Sequence, residues 1–267
     1  MTLAIGLVNP EGIVMAADSR QSYRHAAVRI GSDSAIKVFE LTDTVVAATS
    51  GYAFLRSQNA PSVQNISTLV EALKPTLVPH STVQQVATAL HAHFSTIYDQ
   101  HIVHFPGEAV AAGGTAIQFI VAGFDLGSRV GELFECNVPG APPAAAVRAS
   151  TNAGVWWIGQ SDVAARVYNG YDGRILTLPF VQAVHQAGQA VPQLQQLTYV
   201  VRFHTMTLQD AIDFVTAMIQ ITITIQRFAD GIQMEPGGVP GVGGPIDVAV
   251  IQPGGPVRWI ARKMLHP

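Results

Sequence analysis

The sequence predicts an α/β fold: a four-layer αββα sandwich in which two stacked antiparallel sheets are covered by helices on their outer faces. Three observations predict it. Patterns along the chain come in blocks, strands then helices then strands then helices then strands. The amino-terminal strand runs are nearly continuously apolar rather than alternating, as in a sheet covered on both faces. And 267 residues at 48% hydrophobic content can fill a sizeable core. No internal repeat or linker divides the chain, so it reads as one domain over residues 1–267 with an extended segment at about 173–206.

Each element has its own signal. Leu3 to Val8 and Ile13 to Ala17 flank Asn9-Pro10-Glu11-Gly12, a turn signal that predicts a hairpin. Ala35 to Glu40 and Val45 to Ser50 flank Leu41-Thr42-Asp43-Thr44 and complete four strands in the first fifty residues. Helical patterns follow from Ser62 to Leu73, stopping at Lys74-Pro75, and from Ser81 to Tyr98 with Ser81 as N-cap. After Gly113-Gly114 come strands Ala116 to Phe124 and Gly131 to Asn137. A third helix is expected from near Gly159 to about Tyr168, and a long one from near Thr207, with Asp210 in its first turn, to before Gly231. Between them, Gly173 to Met206 contains a helix-like stretch from Phe180 to Ala190. Residues Gly231 to Gly244 read as loop, and Ile246 to Ile251 and Val257 to Ala261 as closing strands.

Composition removes several function classes. Charged residues make up 12% of the chain, about half the ~25% of ordinary soluble domains, which leaves surface for subunit contacts. A net charge of −3 and three lysines provide no basic stripe for a phosphate backbone, so nucleic acid is not expected as a partner. The most apolar long segment, Ala211 to Ile225, contains Asp213, Gln220 and several threonines. It falls short of the ~18 clean apolar residues of a membrane helix, and no membrane association is expected. The single cysteine, Cys136, cannot form an internal disulfide, and no secretory signal opens the chain, which points to the cytoplasm. His91 and His93 point to different helix faces, and with His101 and His104 they read as surface or helix-end histidines rather than metal ligands. Trp156 and Trp157 read as packing residues.

The chemistry lies at the amino terminus. Initiator methionine is normally trimmed before threonine, which would make Thr2 the first residue. A free α-amine, with a pKa of about 7.7–8.0, can then act as base for the hydroxyl of its own residue. Hairpin pairing sums near 21 set Thr2 opposite Ser19, beside Asp18 and Arg20. Lys37, the only lysine in the first seventy residues, opens the third strand. An ammonium placed near the amine and hydroxyl lowers the proton affinity of both.

These residues carry a resemblance. Thr2, the run Glu11-Gly12-Ile13-Val14-Met15-Ala16-Ala17-Asp18-Ser19-Arg20, then Ile36-Lys37-Val38 and Ala48-Thr49-Ser50-Gly51 resemble the opening of the proteasome β-type subunits, the N-terminal-nucleophile threonine peptidases. Gly243-Gly244-Pro245-Ile246-Asp247-Val248-Ala249-Val250 resembles that family's penultimate strand. The stretch between Arg20 and Lys37 is a few residues longer than in that family; the length of the segment Gly173 to Met206, the absence of a propeptide and the Trp156-Trp157 pair make the chain most like the unusual bacterial proteasome homologues.

The resemblance implies the N-terminal-nucleophile hydrolase fold and a threonine-type endopeptidase subunit of a self-compartmentalising ring. Thr2 would be the nucleophile, its amine the proton acceptor through a water, Lys37 its tuner and Asp18 the partner that orients Lys37. The Gly51 N–H would face the oxyanion, and Arg20 would give structural support. Gln160 or Ser161 takes the place of the family's serine, and Asp230 approximates its later aspartate. Ala35, Thr49 and Ala53 would line a neutral specificity pocket. No cofactor or metal is called for. The implied partners are a peptide or unfolded protein as substrate and further copies in a homo-oligomeric ring or double ring, with an ATPase unfoldase left open. The alternative is a silent ring scaffold or a small-amide acylase of the same fold.

Overall fold

The computed structural model describes residues 2–24, 28–58, 60–77, 82–232, 235–236 and 240–264. It is an α/β structure with antiparallel sheets and, among the described residues, six α-helices. One five-stranded sheet runs in the order β12 (Gly154–Gly159), β1 (Leu3–Asn9), β2 (Gly12–Ala17), β15 (Asp247–Ile251), β16 (Val257–Ala261). The other runs β11 (Arg148–Ala149), β10 (Gly131–Val138), β9 (Ile117–Phe124), β6 (Val45–Gly51), β5 (Val38–Thr42).

The β1–β2 hairpin pairs Ala4 with Ala17 through to Asn9 with Gly12, the register expected from the turn. Asn9 builds that turn, its Oδ1 accepting from the amides of Glu11 at 3.0 Å and Gly12 at 2.9 Å. Both strands are buried along their whole length. One face, with Ala4, Val8, Ile13 and Met15, packs against Val46, Ala48, Ile120 and Ala122 of the second sheet. The opposite face, with Leu3, Ile5, Leu7 and Val14, packs against the long helix α6 (Leu208–Phe228) and α3 (Asp162–Asn169). The outer face of the second sheet is covered by α1 (Ile66–Leu77) and α2 (Val83–His104), through Leu69, Val70, Leu90 and Phe94. By length and composition α6 is the one described helix that could cross a membrane, and its Ala211, Val215, Met218 and Ile219 are buried in the core it shares with the first sheet.

Several boundaries differ from those expected, each for a local reason. α1 runs through Pro75 to Leu77; burial of Leu73 and Leu77 in the core offsets what the proline costs the helix. The N-cap of α2 is Thr82, whose Oγ1 accepts from the Gln85 amide at 3.1 Å while the Gln85 Oε1 accepts from the Thr82 amide at 3.2 Å. Ser81 lies outside the described residues. α3 starts at Asp162, not Gly159, because Gly159 ends β12 at a φ of +85°. β5 starts at Val38 rather than Ala35. The residues ahead of it contain a hairpin with no counterpart in the sequence reading, β3 (Gln21–Arg24) and β4 (Val28–Ser32).

Two further ribbons are short: β7 (Phe54–Leu55) with β8 (Gln64–Asn65), and β13 (Gly231–Ile232) with β14 (Glu235–Pro236) inside the stretch read as loop. The extended segment folds into α4 (Pro179–Gln186), α5 (Ala190–Leu194) and 3₁₀ turns. Phe203 anchors its end in an aromatic cluster, 5.7 Å from Phe214 and 6.2 Å from Tyr168 between ring centroids.

Candidate active site

The β1–β2 hairpin delivers Thr2 and Asp18 to the same sheet end. Thr2 is 5% exposed and Asp18 is buried. Asp18 Oδ1 accepts from the Leu3 amide and from Lys37 Nζ, both at 3.0 Å. Its Oδ2 accepts from the Arg20 amide at 3.0 Å and the Gly243 amide at 2.9 Å. Four donors satisfy an ionised carboxylate, so the buried charge has partners on every side.

Lys37 is also buried, and its ammonium donates to the Arg20 carbonyl as well as to Asp18. Backbone ties fix its place: the Ala35 amide donates to the Ser19 carbonyl and the Thr49 amide to the Lys37 carbonyl, each at 3.0 Å. Burial pushes the Lys37 ammonium below the ordinary lysine range; the Asp18 carboxylate pulls the other way, and a second ammonium, Lys263, adds to the lowering. Arg20 supports the corner. Its Nε and Nη2 grip Asp33 at 2.7 and 2.8 Å, and that hydrogen bonding holds the Asp33 carboxyl below the usual carboxylate range.

Gly51 ends β6 with φ +98°, and a Cβ there would stand 2.2 Å from the Ala116 carbonyl oxygen. The strand pattern gives its amide a direction. Tyr52 donates toward β9, to Ala116 at 2.9 Å, whereas Thr49 donates to the other side, to Lys37. By alternation Gly51, two residues after Thr49, directs its N–H to the Lys37 side. There a cavity of about 340 Å³ opens, lined by Thr2, Lys37 and Gly51 together with Ala35, Thr49 and Ala53. Serines 22, 32, 34 and 67 and Asn65 also line it, and its charged side chains, Arg20 and Lys37, are both engaged by carboxylates.

The two later candidates, Ser161 and Asp230, do not line this cavity. Ser161 is the N-cap residue of α3 and makes no side-chain cap bond. Its neighbour Gln160 touches Thr2 directly, donating its amide to the Thr2 carbonyl at 2.6 Å. Asp230 is exposed past the end of α6 and has no hydrogen-bond or ion-pair partner among the described residues. One turn earlier, Gln226 reaches back. Its Nε2 donates to Gln160 Oε1 at 3.3 Å and its Oε1 accepts from the Gly241 and Val242 amides at 3.0 and 2.9 Å. The sequence reading missed Gln226, and it also missed the buried pair Lys263 and Asp247, although lysine is rare in the chain and Asp247 lies in a quoted motif. Met1 lies outside the described residues.

Other chemistry-bearing side chains are occupied structurally. Burial, with Glu135 adding to it, pushes the Cys136 thiol up to about 12, far from a reactive thiolate. His91 Nε2 bonds the Gly140 carbonyl, and His101 bridges the Arg56 amide and Glu108. No group of three or more His, Cys, Asp or Glu able to hold a metal occurs among the described residues.

In comparisons with known proteins, no family model and no curated protein matches the chain.

Proposed function

We propose that this chain is a threonine-type endopeptidase subunit of a self-compartmentalising ring, hydrolysing peptide bonds with Thr2 once Met1 is removed. The observation that carries the reading is the buried Lys37–Asp18 pair at the wall of a cavity that Thr2 and Gly51 also line. A structural ion pair has no need of a cavity; an ammonium that tunes a nucleophile does.

In the proposed reaction the Thr2 Oγ attacks the scissile carbonyl carbon and passes its proton through a water to the α-amine. The oxyanion forms against the Gly51 N–H, a kind of contact typically worth about 10²–10³ in rate. Collapse breaks the C–N bond, the protonated α-amine gives its proton to the leaving amine, and an ester on Thr2 remains. Water, activated by the same amine, then cleaves the ester to release the acid and restore the hydroxyl. Lys37 keeps the amine neutral by opposing its protonation, and Asp18 holds Lys37 in place.

The three packed interfaces, helices on sheet, sheet on sheet and sheet on helices, support the four-layer N-terminal-nucleophile fold as a single domain. Exposed Ile225 and Phe228 on α6 and Phe180 and Val200 on the extended segment support assembly with further copies. A cytoplasmic peptide or unfolded protein is the proposed substrate.

The test is hydrolysis of fluorogenic peptides beside simple acyl amides by wild type, Thr2→Ala and Thr2→Ser. Loss with alanine and partial retention with serine are expected. Undiminished peptide hydrolysis by Thr2→Ala overturns the assignment, and turnover of acyl amides alone redirects it to an acylase.

A further inference from the structure

Beside the Asp18–Lys37 pair, the fold buries a second ion pair that the proposed reaction does not use. Just past β16, Lys263 lies beside the first residue of β15 and reaches Ser19, after the end of β2. There Lys263 Nζ donates to Ser19 Oγ at 2.8 Å and to Asp247 Oδ2, and the Lys263 amide donates to Asp247 Oδ1 at 2.9 Å. The two side chains are 7% and 4% exposed. Ser19 is fully buried, its amide donating to the Gly243 carbonyl and its carbonyl accepting from the Ala35 amide, both at 3.0 Å. The residue next to Asp18 therefore carries an ammonium on its hydroxyl and, on its carbonyl, the segment that leads into Lys37.

A buried ion pair is seldom a gain in stability over apolar side chains of the same volume, so its presence calls for another reason. Two of the three lysines of the chain meet in this one corner. The charged groups around it are Asp18 and Arg20 after β2, Asp33 after β4, Lys37 before β5, Asp247 on β15 and Lys263 after β16.

We propose that Lys263 and Asp247 are positioning residues of the Thr2 site: the ammonium of Lys263, anchored on Ser19, sets the proton balance of Lys37 and Thr2, and Asp247 moderates it. The inference rests on Thr2 being the nucleophile. A positive charge nearby opposes protonation of the amine, so the base is available at a lower pH. The field of Lys263 on Lys37 acts in that direction.

The experiment follows acylation of Thr2 by a peptidyl β-lactone, read by intact mass as a function of pH, on full chains whose mass places Thr2 first. Lys263→Met should move the midpoint of the rate profile up and Asp247→Asn should move it down, each by on the order of half a pH unit. A role confined to structure would change both variants in one direction or alter only thermal stability. If Lys263→Met does not fold, Asp247→Asn, which keeps the acceptor for the Lys263 amide, carries the test alone through its downward shift. Normal labelling of wild type with unshifted or same-signed midpoints overturns this inference while leaving the nucleophile in place. Absence of labelling in wild type at every pH overturns the nucleophile reading and this inference with it.

Discussion

The amide of Gln160 donates to the carbonyl oxygen of Thr2 at 2.6 Å, tying the end of β12 to the residue ahead of β1. The tie depends on Gly159, whose φ is +85° and where a Cβ would stand 2.0 Å from that same carbonyl oxygen. Gly159→Ala is therefore expected to displace Thr2. Backbone strain of this kind costs about 1–3 kcal/mol of stability, read as a lower denaturant midpoint. The peptidase rate should fall further, by about 10²-fold, since small misplacements of reacting groups are amplified in the barrier. An unchanged rate would mean that Thr2 is positioned by other contacts.

Lys37 gives a pH prediction with a definite sign. Its folded pKa lies below the ordinary lysine value of 10.5, burial being the main cause. Between those two values the unfolded chain binds the extra proton, so this group's contribution to stability rises with pH across the window and is complete above 10.5. Cys136 acts oppositely at alkaline pH, because its folded thiol holds its proton longer than the unfolded one. The Lys37 share is isolated as the difference between wild type and Lys37→Met in urea unfolding, and it should grow in favour of wild type as pH rises.

Lys37→Arg should lose most activity. A planar guanidinium that stays charged cannot replace a compact ammonium that touches both Asp18 and the Arg20 carbonyl. Lys37→Ala removes one partner of a buried pair and should destabilise by about 3–5 kcal/mol. Activity of both variants is compared at a temperature where each is folded by circular dichroism. A near wild-type rate in Lys37→Arg would make the lysine structural.

Retention of Met1 should abolish activity even with every side chain in place, because an acylated nitrogen is an amide and accepts no proton near neutral pH. Intact mass of the active fraction checks this: the expected species begins at Thr2, and full activity in a species carrying Met1 would end the amine-base mechanism.

Substrates are expected to carry an uncharged residue before the cut. Ala35, Thr49 and Ala53 offer no charge, and the cationic side chains that line the cavity are engaged by Asp18 and Asp33. A charged side chain would lose its hydration without a partner. Cleavage of a peptide library mainly after Arg or Asp would contradict this.

The sequence made the hairpin legible because Asn9 and Gly12 announce a turn that fixes its register, and that register alone brings Thr2 near Asp18. The β3–β4 hairpin was not legible, since Gln21–Arg24 contains no alternating apolar residues to signal a strand. The resemblance places its later aspartate at Asp230, which is exposed past the end of α6, while Gln226, a turn back, bonds Gln160 beside Thr2, a side-chain contact that no helix periodicity announces. Lys263 reaches Ser19 across 244 residues of chain, a separation no local pattern encodes. Local chemistry was readable; contacts closed by the packing of distant strands were not.

α6 is clamped at both ends to the machinery that holds Thr2. At its start, Glu11 of the β1–β2 turn accepts from the Leu208 amide at 2.6 Å; near its finish, Gln226 grips Gln160. One link lies at the far tip of the hairpin and the other beside Gln160, next to Thr2. In the proposed ring, a neighbouring copy pressing on exposed Ile225 or Phe228 would bear on the same helix that Gln226 ties to Gln160, whose amide holds the Thr2 carbonyl.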